Sequence, residues 1–187
     1  MRAIVVTDIF GLCSSMDRVV SLLNEAIEQV IVLDPYQGVA QEFNNEQQAY
    51  SAFIDQCGHE KYFTLLKERV EEIKPELLIG FSAGASAVWR LSNHASDNLQ
   101  QILCFYPSRI RHYLSVQPKV PTQVVFPQSE MSFDVTEISQ QISLLPAVRT
   151  HVLPYQHGFM NRCSPAFDCE GEKTGFKLLQ QCIKSIT

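Results

Sequence analysis

The stretch that most constrains the fold is Leu77-Leu78-Ile79-Gly80-Phe81-Ser82-Ala83-Gly84-Ala85-Ser86-Ala87-Val88-Trp89, an apolar run followed by Gly-Phe-Ser-Ala-Gly and a small-residue segment at helical spacing. A strand that turns at once into a helix forces the residue at the turn into a strained backbone conformation. Positions two residues to either side must then be very small, because the backbones there nearly touch. Gly80 and Gly84 occupy those positions around Ser82. The Ser82 side chain then projects from the carboxyl end of the strand, and the Ala83 amide at the helix start points toward any oxyanion formed there. This is the layout of a nucleophile elbow; the alternative is a Gly-rich turn with an idle serine.

The rest of the chain alternates strand and helix signals. Residues 3–7 form an apolar β-branched run ended by Asp8-Ile9-Phe10-Gly11, and Ser14-Ser15-Met16-Asp17 has capping-box-like spacing ahead of a helix with Met16, Val19, Val20 and Leu23 on one face. Gln29–Leu33 is a second strand closed by Asp34-Pro35. Ala49, Tyr50, Phe53, Ile54 and Cys57 mark a helix ending near Gly58, and another runs from His59 to Pro75. The helix after Ser82 extends to about Leu91, and a polar segment, Ser92–Asn98, leads to the strand Gln101–Tyr106, stopped by Pro107. A short helix is expected over Ser108–Leu114 and a fifth strand over Thr122–Phe126. Asp134 reads as the N-cap of the next helix, Val148–Leu153 as the last strand, and Met160–Glu172 as a polar loop before a final helix. Six strands alternating with helices, without a hairpin signal, predict a parallel α/β sheet covered on both faces in three layers, with its site at the carboxyl ends of the strands.

Length and charge narrow the function classes. A chain of 187 residues suits one domain over 1–187 with a full core. Fifteen basic and twenty acidic residues give a net charge of −5 with no basic run, which excludes a phosphate-tracking surface and predicts no nucleic-acid partner. The N-terminal apolar run is too short for a signal-peptide core or a membrane span, so the expectation is a cytoplasmic protein without a membrane partner. The six cysteines lack C-x-x-C spacing; Cys57, Cys104 and Cys182 fall on apolar faces. Cys163 and Cys169 lie close together in a polar loop, but no further His or Cys nearby completes a zinc site, so free thiols and no metal are expected.

A serine hydroxyl needs a base, and the base needs a third group to hold its tautomer. Of the five histidines, His157 alone falls just past a strand's carboxyl end, with Gly158 beside it, and it gives the chain order Ser, acid, His; the alternative is a surface-loop histidine. Glu130 and Asp134 both follow the fifth strand as candidates for the acid. Glu130 is preferred, because Asp134 has a competing task as a helix cap. Ile9 and Ala83 are the candidate amides of an oxyanion hole, which needs two donors.

Taken with Val6-Thr7-Asp8-Ile9-Phe10-Gly11, Leu33-Asp34-Pro35, Phe105-Tyr106-Pro107 and His157-Gly158-Phe159, the elbow resembles the dienelactone hydrolase family of the α/β-hydrolase superfamily over nearly the whole chain. The resemblance implies Ser82 as nucleophile, Glu130 as acid, His157 as base, and the Ile9 and Ala83 amides as oxyanion hole, with no cofactor. It also implies a minimal fold that starts at the superfamily's third strand. This chain departs from the pattern in having Ser82 for a cysteine, Asp8 for a glutamate and Glu130 for an aspartate. The family holds its substrate carboxylate with arginines, and the nearest match is Arg162, shifted from that pattern. The expectation is therefore a hydrolase of small esters, thioesters or lactones rather than of dienelactone, acting as a monomer or homodimer. Phe10, Tyr106, Phe159 and Met160 are candidate pocket walls, with ordinary packing as their alternative. The competing reading is a binding or regulatory protein that keeps the fold without turnover.

Overall fold

The structure, a computed structural model, describes residues 1–94 and 98–186, so 95–97 of the expected Ser92–Asn98 connection lie outside the described residues. The strands are β1 (Arg2–Val6), β2 (Gln29–Leu33), β3 (Leu77–Phe81), β4 (Gln101–Phe105), β5 (Thr122–Phe126) and β6 (Val148–Val152). The helices between and after them are α1 (Ser14–Leu23), α2 (Glu46–Gln56), α3 (Gly58–Ile73), α4 (Ala83–Leu91), α5 (Val135–Ser143) and α6 (Cys169–Lys184). All pairings are parallel in the order β2-β1-β3-β4-β5-β6. From β1 the chain first moves outward to β2 and then returns to β3 on β1's other side. The loops after β1 and β3 thus diverge over a switch point, where a parallel sheet opens its crevice.

Both faces of the sheet are covered, which is why its central strands are apolar throughout rather than alternating. Ile4, Val6, Leu78, Ile102, Val124 and Phe126 face α2 to α5, with Phe53, Leu66 and Trp89 among their partners. Ala3, Val5, Ile79, Leu103, Phe105 and Val125 face α1 and α6 through Met16, Val19, Leu23, Leu179 and Ile183.

Several boundaries differ from expectation for identifiable reasons. The capping-box serine, Ser14, is already inside α1, so the N-cap is Cys13, which makes no side-chain cap bond; its thiol donates instead to Asn161 Oδ1 at 3.5 Å. The segment expected as a helix over Ser108–Leu114 makes only a 3₁₀ turn, Ile110–His112. α6 begins at Cys169, with Asp168 capping the Gly171 amide at 2.8 Å, so the expected loop is shorter. Among the described residues no helix is long and apolar enough to cross a membrane.

Candidate active site

The elbow is built from crowding. Ser82 follows β3 at φ 49°, ψ −109°, a conformation that costs a non-glycine residue of order 1–3 kcal/mol. Its amide donates to the Phe105 carbonyl at 3.0 Å, and its carbonyl accepts the Ser86 amide at 3.0 Å, so both flanking elements hold it. A Cβ on Gly80 would stand 2.6 Å from the Cα of Ala85, and one on Gly84 would run into the carbonyl oxygens of Val6 and Thr7. Gly80 thus lets α4 close on β3, whereas Gly84 is required by the neighbouring strand β1.

Three side chains from three loops meet in line. Ser82 Oγ lies 2.8 Å from Nε2 of His157, and Nδ1 of His157 lies 2.6 Å from Oε1 of Glu130. An ionised carboxylate only accepts hydrogen bonds, so Nδ1 carries the imidazole proton and Nε2 presents its lone pair to the serine hydroxyl. Asp134 is elsewhere: its carboxylate accepts the Thr136 and Glu137 amides at 2.8 and 3.1 Å and caps α5.

Ile9 and Ala83 border the same cavity as Ser82. Ala83 is the first residue of α4, so its amide has no acceptor within the helix. In the turn after β1, the Phe10 amide donates to Asp8 Oδ1 at 2.9 Å and the Gly11 amide to the Asp8 carbonyl at 3.2 Å. Those bonds hold the turn that carries Ile9 at the edge of the cavity, and the Tyr36 hydroxyl fixes the turn further by donating to the Ile9 carbonyl at 2.6 Å.

Beneath the site lies a buried network that the sequence did not announce. The Nδ2 of Asn161, which has no exposed surface, donates to Asp8 Oδ2 at 2.7 Å. Its Oδ1 accepts the Cys163 amide at 2.9 Å and the Cys13 thiol at 3.5 Å. Asn161 therefore ties the turn bearing Ile9 to the loop bearing His157. Burial raises the Asp8 carboxyl above the ordinary carboxylate range, against the lowering effect of the bonds from Asn161 and Phe10 and of the nearby His157. Burial likewise pushes the Cys13 thiol up to about 12.

The expected pocket walls are corrected. Phe10, Tyr106, Phe159 and Met160 are all buried and do not border the cavity at Ser82. Tyr106 packs its ring 5.0 Å from that of His157 and 5.2 Å from that of Phe159, forming the floor under the imidazole. Phe159 and Met160 turn down onto α6, filling the space left by Gly171 and Gly175. Arg162 does not reach the cavity either; its guanidinium donates to the buried Glu172 at 3.1 Å, a carboxylate it shares with Arg18. The cavity of about 940 Å³ is walled instead by Tyr50, His59, Arg109, Arg111 and Met131, a size suited to a small molecule. Cys163 and Cys169 are free, exposed thiols, and among the described residues no three His, Cys, Asp or Glu side chains converge as metal ligands.

No protein-family model matches the chain. It is 37% identical over 95 residues to the uncharacterized protein YczH of Bacillus subtilis (strain 168), a match covering 49% of this chain and 45% of that protein. The similarity thus spans less than half of that relative's length. Solved structures similar over nearly the whole chain include mouse alpha/beta hydrolase domain-containing protein 10, at TM-score 0.71 and 10% identity, covering 100% of this chain and 90% of that one. A dienelactone hydrolase-like promiscuous phosphotriesterase from metagenomic libraries has TM-score 0.68 and 15% identity, covering 98% and 85%. The enol-lactonase of Burkholderia xenovorans LB400 has TM-score 0.66 and 10% identity, covering 98% and 91%.

Proposed function

We propose that this chain, which has the α/β-hydrolase fold and has dienelactone hydrolase-like proteins among its structural neighbours, is a serine hydrolase of small esters, thioesters or lactones. The observation that carries this reading is the aligned set of contacts from Ser82 Oγ to His157 to Glu130, at 2.8 and 2.6 Å, opening on a substrate-sized cavity. In the proposed reaction His157 Nε2 takes the Ser82 proton as Oγ attacks the acyl carbon, while Glu130 stabilises the imidazolium. The Ile9 and Ala83 amides receive the developing oxyanion. The imidazolium then protonates the leaving alkoxide or thiolate, and a water activated by the same nitrogen releases the acyl group from Ser82.

Strain at Ser82 supports the same reading. Lys74 also has positive φ, but at φ 51°, ψ 61° it sits in the ordinary left-handed region of a helix end, whereas Ser82 at φ 49°, ψ −109° lies outside that region, the kind of strain that clusters at active sites. The test is turnover of an ester and thioester panel by the wild-type protein and by Ser82→Ala. Activity in the former and its loss in a stably folded Ser82→Ala protein is expected, whereas activity retained by the variant refutes the assignment.

A further inference from the structure

We infer that His59 and Arg109 form a hydroxyl subsite beside the Ser82 elbow, selecting esters that carry a hydroxyl on the acyl part close to the scissile carbonyl. The inference rests on the serine hydrolase reading and narrows its substrate class. Both residues border the cavity that contains Ser82 and His157. Both, with Ala83, also border a smaller recess that shares this wall and is closed by Ser86, Arg90 and Tyr113. The recess measures about 10 Å³, and roughly 10–15 Å³ is the least space that admits one water-sized group. It is matched to a single hydroxyl and is too small for a carboxylate.

Most polar groups around the recess are spent. Ser86 Oγ accepts the Arg109 amide at 3.0 Å and donates to the Ser82 carbonyl at 3.0 Å. The terminal nitrogens of Arg90 donate to the Glu60 carboxylate at 3.0 and 2.8 Å, and the Tyr113 hydroxyl turns to the same carboxylate at 3.5 Å. Two groups remain. The Nε of Arg109 is buried without a hydrogen-bond partner among the described residues. The His59 ring meets the Phe53 ring edge-on at 5.0 Å and makes no hydrogen bond among the described residues. Burial, and next the charge of Arg109, depress His59 to about 4. Near pH 7 its ring is therefore neutral and offers one donor and one acceptor. A hydroxyl answers both open groups, because it can donate to the free imidazole nitrogen while it accepts from Arg109 Nε. The Ser86 bridge ties the Arg109 backbone to the elbow, so that donor is fixed relative to Ser82.

The recess also distinguishes the acyl part from the leaving group. In the proposed reaction His157 protonates the leaving oxygen, so the leaving group lies on the His157 side of the cavity. Neither His157 nor Glu130 borders the recess, whereas Ala83, with its proposed oxyanion-hole amide, does. A group that enters the recess therefore belongs to the acyl part, near the carbonyl.

Steady-state turnover of methyl butanoate and of each enantiomer of methyl α-hydroxybutanoate and methyl β-hydroxybutanoate tests the subsite. Expected is a kcat/KM about tenfold or more higher for one hydroxy ester than for methyl butanoate, the scale of a hydrogen bond to a charged group. Its mirror image should be disfavoured, because the recess lies on one side of the elbow. His59→Phe, which keeps a ring against Phe53, and Arg109→Met should each reduce both preferences several-fold. The preferences should hold from about 0.01 to about 1 M ionic strength, since a hydroxyl carries no charge for salt to screen. Circular dichroism establishes that each variant is folded; if one is not, the other variant and the wild-type enantiomer ratio decide. Equal turnover of hydroxy and parent esters, as from a recess that holds an ordered water only, overturns the subsite. So does a preference that survives both substitutions or vanishes in salt. Fluorophosphonate labelling of the wild-type protein separates the two levels. A label on Ser82 without a hydroxyl preference retires the subsite alone, whereas no label and no turnover retire the hydrolase and the substrate assignment with it.

Discussion

Replacing Glu130 by Gln should cost catalysis, and replacing Asp134 by Ala should cost stability. Glu130 Oε1 lies 2.6 Å from Nδ1 of His157, with side-chain exposures of 10% and 25%, so the pair is shielded enough for its charge to count. A hydrogen bond to a charged group is worth about 1.5–3 kcal/mol, or roughly 10- to 150-fold in rate at about 1.4 kcal/mol per decade. Gln also offers an NH₂ that favours the wrong imidazole tautomer, which extends the expected loss in kcat to about 10²–10⁴-fold. Gln is close to isosteric, so the unfolding free energy should hardly move. Asp134, at 2.8 and 3.1 Å from two amides of the first turn of α5, is a cap, and its removal should cost about 0.5–2 kcal/mol. For a chain of this length that is a Tm loss of about 1–8 °C, with kcat within a few-fold of wild type. Steady-state ester kinetics and calorimetry on both variants give the four numbers. A catalytic loss in Asp134→Ala together with near-normal turnover in Glu130→Gln would refute the reasoning.

Three further outcomes follow from the packing and the charges. Gly84→Ala drives a methyl group into the Val6 and Thr7 carbonyls and should destabilise the fold by about 1–3 kcal/mol while slowing Ser82 labelling; an unchanged denaturation midpoint contradicts this. Asn161→Ala removes the 2.7 Å bond to the buried Asp8 and should cost about 1–3 kcal/mol of stability and lower kcat about tenfold or more as the Ile9 and His157 loops part; wild-type values in both measurements refute the link. His59, held near 4 in the fold against an ordinary value of about 6.5, binds a proton more readily when unfolded, so its contribution is complete above about 6.5 and is lost as pH falls toward 4. The raised Asp8 carboxyl acts in the opposite sense, which makes His59→Gln the informative comparison. Urea titrations across that window should show a shallower acid loss in His59→Gln, and parallel curves would contradict the argument.

The strands were legible where β-branched runs met hard stops. β2 and β5 begin and end where Val30-Ile31-Val32 and Val124-Val125 with their flanking prolines place them. Helix starts fared worse where a distant partner intervened. Cys13 rather than Ser14 takes the α1 cap position and turns its thiol to Asn161, and Gly171 and Gly175 weaken the helical signal of α6 because their missing side chains admit Phe159 and Met160. Within the candidate site, Ser82, Glu130 and His157 could be found because each sits just past a strand whose end the pattern marks. The walls could not, since Tyr50, His59, Arg109 and Arg111 come from helix starts and connections whose placement depends on how α2 and α3 pack. The aromatic residues nearest the motifs were misleading for a physical reason: large apolar side chains beside strand ends turn inward, as Tyr106 and Phe159 do, unless something polar holds them out.

The most direct test of the central claim is mass spectrometry of the protein after reaction with a fluorophosphonate. One phosphonyl adduct is expected, on the peptide containing Ser82, formed much more slowly in His157→Ala and Glu130→Gln and absent in Ser82→Ala. An unmodified Ser82 peptide in the active, folded protein, or an adduct on another serine at the same rate in all four proteins, would contradict it.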